Sequence, residues 1–198
     1  MDHFDLALKL LAAGRMDEAR IYLEELLAMD PENPDLLYNL GLCYVDLGQL
    51  DKGIELLNRC LQIAPQHSHA CVALGIAYQK KGDLARAKEA TSQALAADPR
   101  NPVALKNLGA ILGREGDSLR ALYYLRQSYQ ANPQDPQTVY GLAFGYMKIG
   151  DIEQAQKHFQ EVLDMQAPEE LRTLARNGLR EIAVRELKAR GPRMDAVF

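Results

Sequence analysis

Apolar positions in this chain fall in short helical runs that are broken at a fixed interval. Glycines stand at Gly14, Gly48, Gly82, Gly116 and Gly150, each 34 residues after the last. Each 34-residue unit reads as two helices of three to four turns joined at a glycine, which suits a left-handed residue just past a helix end. Prolines in the same register, Pro31, Pro65, Pro99 and Pro133, end the second helix. Asn33-Pro34, Asn101-Pro102 and Asp135-Pro136 predict a cap followed by proline at the first helical position. Ser68 takes the cap role in the third unit, and Asp83, Asp117 and Asp151 are the expected caps of second helices. Small residues recur five places after each glycine, at Ala19, Gly53, Ala87, Ala121 and Ala155. With Gly41, Gly75 and Gly109 in the first helices, they let paired helices approach closely.

A second set of positions keeps the same period. Leu40-Gly41 returns as Leu74-Gly75 and Leu108-Gly109, then as Leu142-Ala143. A tyrosine follows three places later at Tyr44, Tyr78 and Tyr146, with Leu112 in the fourth copy. The chain thereby resembles the tetratricopeptide-repeat family, whose 34-residue signature is W-x₂-L-G-x₂-Y…A-x₃-F…P. Its tryptophan place holds Leu37, Cys71, Leu105 and Val139, and its phenylalanine place holds Leu23, Leu57, Thr91, Leu125 and Phe159. Thr91 is the polar one, so the middle unit is expected to pack more loosely. The resemblance implies an all-α, right-handed α-solenoid over residues 1–167. Its units run about 1–33, 34–67, 68–101, 102–135 and 136–167. One hairpin cannot bury its apolar face alone, so neighbours stabilise one another and the array needs a polar-faced end. Residues 168–190 read as that capping helix, with Leu171, Leu174, Ala175, Leu179, Ile182 and Leu187 as its apolar stripe. Gly191-Pro192 stops it, and 191–198 is expected to be a flexible tail.

Composition narrows the function. The chain has 198 residues, 47% apolar and 25% charged, with a net charge of −4. These values exclude a disordered chain and a strongly basic nucleic-acid binder. Residues 1–66 carry twelve acids against five bases, whereas 169–198 carry five acids against seven bases. Three cysteines exclude a disulfide scaffold. No apolar run approaches the ~18–20 residues that span a bilayer, so no membrane insertion is expected. Asp2 and Asp5 stand where a secretory signal carries bases, which points to the cytoplasm.

Repeat and cap leave no room for a catalytic domain. Cys43, Cys60 and Cys71 fall on apolar helix faces and read as small buried hydrophobes. His67-x-His69-x-Cys71 is the one metal-like cluster, and it matches no established ligand spacing. His3 and His158 read as surface or boundary residues. No phosphate-binding glycine loop and no nucleophile elbow is present. The expectation is a non-enzyme with no cofactor and no metal.

Surfaces remain. In Leu36-Leu37-Tyr38-Asn39-Leu40-Gly41-Leu42-Cys43-Tyr44-Val45 nearly every position is apolar, although a surface helix normally spends one stripe on burial. The surplus predicts an exposed apolar groove, the kind of patch that marks an interaction site. The resemblance implies that first helices line a concave face which binds peptide segments of other proteins. By that register the partner-binding residues are Tyr38, Leu42 and Val45, then Val72, Ile76 and Lys80, then Lys106 and Arg114, then Tyr140, Phe144, Met147 and Lys148. A second reading packs Leu8, Leu42, Ile76 and Ala110 between adjacent helices instead. Lys80, Lys106, Arg114 and Lys148 either receive an acidic side chain or terminal carboxylate, or are simply solvated. Asn39 and Asn107 occupy the places where some family members bond a ligand's backbone. The function expected is a non-catalytic adaptor or scaffold for a protein or peptide partner. The alternative is a homo-oligomer, with the tail or end helix docked on a neighbouring subunit.

Overall fold

The computed structural model describes residues 3–190, so the tail 191–198 lies outside the described residues. Eleven helices and no strand occur among the described residues. They are α1 (His3–Ala12), α2 (Met16–Met29), α3 (Pro34–Asp46), α4 (Leu50–Ile63), α5 (Ser68–Lys81), α6 (Leu84–Ala97), α7 (Pro102–Arg114), α8 (Ser118–Ala131), α9 (Pro136–Ile149), α10 (Ile152–Asp164) and α11 (Glu169–Arg190).

Local chemistry accounts for the boundaries. Asn33 Oδ1 accepts from the backbone N–H groups of Asp35 and Leu36 at 3.1 and 3.2 Å, with Pro34 in the first turn. Asn101 serves α7 in the same way through Val103 and Ala104. Asp83, Asp117 and Asp151 cap α6, α8 and α10 by accepting from the backbone N–H groups of Arg86, Arg120 and Gln154. Such side-chain acceptors satisfy first-turn donors that have no partner within the helix. Gly82 and Gly150 take φ near +84° and +83° at the ends of α5 and α9, a conformation that costs an L-residue with a side chain. The third unit departs from expectation. Its cap is His67, whose Nδ1 accepts from Ala70 at 3.0 Å, because Ser68 is already the first residue of α5. Ser68 turns its hydroxyl instead to the carbonyl of Ala94 at 3.4 Å.

The chain divides between Ile111 and Leu112 into two compact units, a division that falls within α7. In the first, α3 packs on α4 and α5 on α6, with α2 on α3, α4 on α5 and α3 on α5. Its core holds Leu23, Leu37, Leu57, Tyr44, Tyr78 and Ile111. Close approach is enforced at Gly53, where a β-carbon would lie 2.6 Å from Val45 Cγ2 and 2.9 Å from the Gly41 carbonyl. Thr91 is fully buried, and its hydroxyl donates to Ala87 at 2.7 Å, so its polarity is satisfied inside the helix.

In the second unit α9 packs on α8, α10 and α11, and α10 packs on α11. Its core is built on Val139, Ala143, Phe159, Val162, Ala175 and Ile182. Helix α11 runs unbroken over 22 residues and buries Ala175 and Ile182, with Leu171 and Leu179 half-buried. Leu174 and Leu187 of the expected stripe are exposed. They point off the buried edge, which follows residues 171, 175, 178 and 182. His158, expected at the surface or its boundary, is buried at 8% exposure. Its ring lies parallel to Tyr146 at 5.6 Å, and Nδ1 is 2.9 Å from a carboxylate oxygen of Glu161.

Candidate functional site

The first helices decide what surface is left over, and they spend more of their apolar residues on the core than expected. Val45, Val72 and Met147 are buried, at 0%, 7% and 3% exposure. They are therefore part of the wall and not of a groove surface, because each faces a second helix or a neighbouring first helix at close range. Val45 shows the cause, since its side chain fills the space above Gly53.

What remains in the first unit is a band of half-buried side chains. Tyr38 and Leu42 on α3 and Ile76 on α5 pack against the core by one flank and leave the other open. Leu8 on α1 and Val103 on α7 are more open, at 38% and 40% exposed. Tyr38 sits 4.9 Å from the His67 ring and 6.3 Å from the His69 ring, and burial holds its hydroxyl above the usual phenol range. Among the described residues no three of His, Cys, Asp and Glu are placed to hold a metal ion. Cys43 and Cys60 are buried thiols whose pKa values burial pushes up to about 11. Burial also raises Cys71. None has the depressed pKa of a nucleophile.

The cations of this band divide. Lys80 donates to the carbonyl of Val45 at 3.1 Å and pairs with Asp46 at 3.3 Å. The Val45 carbonyl already accepts from the Gly48 N–H, so Lys80 is its second donor and ties two first helices together. Lys106 is half-buried on α7. Beside it Asn107 is 9% exposed, and its Nδ2 is buried with no hydrogen-bond partner among the described residues. Gln79 Nε2 on α5 is in the same state. A buried donor without an acceptor costs about 1–3 kcal/mol. Asn39, in the equivalent register, donates to the carbonyl of Asp35 at 2.7 Å and is satisfied within its own helix. The repeat register sets Gln79 on the inward face of α5, but the lack of a partner for its amide among the described residues is not legible there.

The second unit presents an aromatic ladder on one helix. Tyr140 and Phe144 are stacked on α9 with centroids 6.4 Å apart and planes at 21°. Lys148 Nζ lies over the Phe144 ring at 4.9 Å. Tyr140 is anchored beneath by Phe159 at 5.8 Å and is half-buried, whereas Phe144 is 38% exposed. The i, i+4, i+8 spacing sets the three in a row along one face. Arg114, at the end of α7, is exposed.

No curated protein matches the chain. The family model described as "Tetratricopeptide repeat" matches residues 10–60, 48–112 and 114–177. Among solved structures, TTC0263, a thermophilic TPR protein in Thermus thermophilus, aligns with a TM-score of 0.74 and 23% identity, covering 89% of this chain and 97% of that one. MamA 41-end from Desulfovibrio magneticus RS-1 aligns with a TM-score of 0.69 and 21% identity, covering 83% and 93%. MamA AMB-1 aligns with a TM-score of 0.67 and 27% identity, covering 82% and 96%. These likenesses show the fold, an all-α array of helical hairpins. With the repeat register kept across 10–177, the chain belongs to the tetratricopeptide-repeat family.

Proposed function

We propose that the chain is a non-catalytic adaptor which holds a peptide segment of a partner protein against its first helices. The observation that carries this reading is the α9 ladder. Phe144 is a large ring 38% exposed, stacked with Tyr140 and topped by the Lys148 ammonium. Aromatic side chains of this kind are favoured anchors of protein interfaces. An apolar side chain of a peptide stacks on the Phe144 ring, while an acidic group one turn away meets Lys148.

The first unit supports the same reading. Tyr38, Leu42 and Ile76 offer apolar flanks, and Asn107 Nδ2 on α7 is a buried donor without a partner among the described residues. A peptide carbonyl delivered to Asn107 Nδ2 would remove a desolvation cost that the free protein carries. Because these side chains stand on packed helices, little of the protein's own freedom is lost on binding. The face is set for side chains and backbone amides.

No helix among the described residues is long and apolar enough to cross a membrane. We place the adaptor in the cytoplasm, where three thiols remain reduced. The test is a pull-down with the wild type, a Phe144→Ala variant and a Phe144→Ala/Lys148→Met double variant. Partners retained by the wild type and lost in stepwise order by the variants support the reading. Equal retention by all three ends it.

A further inference from the structure

The five second helices share an outward position that breaks pattern in two of them. It holds Ile21 in α2, Glu55 in α4, Glu89 in α6, Tyr123 in α8 and Lys157 in α10. A charged side chain there is solvated, but Ile21 is 49% exposed and Tyr123 is 61% exposed. Leu119, one turn before Tyr123, is 72% exposed. Large apolar residues clustered at such exposure point to a partner surface.

The residues around Ile21 are acidic, whereas those around Tyr123 are basic or uncharged, with opposite charges at two of the four equivalent places. One turn to either side of Ile21 stand Asp17, Glu18, Glu24 and Glu25. The same places around Tyr123 hold Leu119, Arg120, Arg126 and Gln127. Helix α2 carries four acids and one base, and α8 carries two arginines and no acid. Some of these charges are already used, Glu18 by Arg15, Glu24 by Arg20 and Tyr44, and Arg120 by Asp117. Asp17 and Glu25 on α2 and Arg126 on α8 make no ion pair among the described residues. Beside Tyr123 an open cleft of about 520 Å³ runs between α8 and α9, lined also by Leu122, Tyr146 and Ile149. An isoleucine with acids one turn away on each side matches that cleft in both polarity and charge.

We propose that α2 of one copy docks on the α8–α9 cleft of a second copy, with Ile21 set between Leu119 and Tyr123 and its flanking carboxylates facing Arg126. This chain carries both halves of the match, which singles out a second copy over a foreign acidic peptide. The two halves differ, so a pair of copies needs only one α2 and one cleft to make one contact. The cleft takes Tyr146 and Ile149 from α9 but is not lined by Tyr140, Phe144 or Lys148.

Sedimentation velocity on the full chain over a wide concentration range tests the proposal. The wild type is expected to gain mass with concentration, and less so at high salt. Ile21→Lys and Tyr123→Glu, both at exposed positions, should each weaken association by at least about tenfold. Mixed together they should associate again, because the first retains the cleft and the second retains the α2 face. That mixture contains one working contact per pair and stops at a one-to-one complex. Arg126→Glu tests the electrostatic half without touching the apolar residues. A wild type that stays monomeric throughout overturns the proposal and leaves the cleft to a different acidic ligand. Association kept by both single variants, or a mixture that stays apart, overturns it equally. Peptide capture through Phe144 is read separately, so either idea can fail while the other stands.

Discussion

Phe159 lies against the backbone of Gly178, so closely that a β-carbon on Gly178 would meet the ring at 2.4 to 2.8 Å. The ring is 1% exposed and wedged among Val162, Ala175 and Ile182, so it has nowhere to turn. This contact is how α11 seats on α10. Gly178→Ala should therefore destabilise the protein by about 1–3 kcal/mol, although alanine is the better helix former. Urea denaturation followed by circular dichroism checks it. An unchanged midpoint would show that the ring gives way freely.

A similar constraint in the first unit can be relieved by design. A β-carbon on Gly75 would lie 2.6 Å from Thr91 Oγ1, which is itself bonded to Ala87. Gly75→Ala should cost about 1–3 kcal/mol from overpacking. In the Gly75→Ala/Thr91→Ala double variant the clashing atom is gone. The two losses should then add to less than their sum, a coupling of about 0.5–3 kcal/mol. Strict additivity in denaturation midpoints would mean that the two residues do not meet.

These contacts show what the repeat register could and could not reveal. Glycine, proline and cap positions are local signals, so nearly every helix start and stop was legible from residues such as Asn33, Asp83 and Gly150. His67 was not, because an imidazole accepting at a cap depends on its tautomer and on Ser68 being drawn into α5. The apolar surplus of the first helices was legible as a quantity, but its division between core and surface was not. Val45 and Met147 read like Phe144 in the sequence, and only their distance from small residues on the neighbouring helix decides which of them is covered. Lys80 read as a groove cation, yet an acceptor on α3, 35 residues earlier, takes it. Orphaned amides such as Asn107 Nδ2 leave no trace in a pattern of polar and apolar positions.

The three thiols offer a test of burial that needs no variant. Cys43 and Cys60 titrate near 11, raised first by burial. Raised folded values favour the neutral thiol. The associated stability is present below the unfolded value, about 8.5, and is lost as pH climbs through about 11. At neutral pH all three thiols should resist iodoacetamide in the folded protein and react together on unfolding. Mass spectrometry of the native, alkylated protein reads this directly. Rapid labelling of one cysteine at pH 7 would place that residue outside the core.

At the acid end the informative group is Glu24. Burial alone would raise its carboxyl, but bonds from Tyr44 and Arg20, with Lys52 nearby, bring it below the usual carboxylate range. A depressed folded value stabilises the native state above the unfolded pKa and is lost as pH falls through the folded one. Thermal midpoints of the wild type should fall as pH drops into and below the ordinary carboxylate range. Glu24→Gln should be less stable at neutral pH and show a flatter acid limb. A limb of unchanged slope would assign the acid sensitivity to other carboxylates.

Binding and folding should separate most cleanly at Phe144. Tyr38 is partly embedded in the first unit's core, so its truncation disturbs both and says little about either. Phe144 is 38% exposed, and Tyr140 beside it is held separately by Phe159. Phe144→Ala should cost about 1–3 kcal/mol of partner affinity, with a stability change within about 1 kcal/mol. Lys148→Met keeps the side chain's length and removes its charge. It should weaken binding more at low salt than at high salt, because a partly exposed ion pair is screened. Calorimetric titration with a captured partner peptide at two ionic strengths measures both effects. If Phe144→Ala binds as tightly as the wild type while melting at the same temperature, the α9 ladder is only a solvated surface.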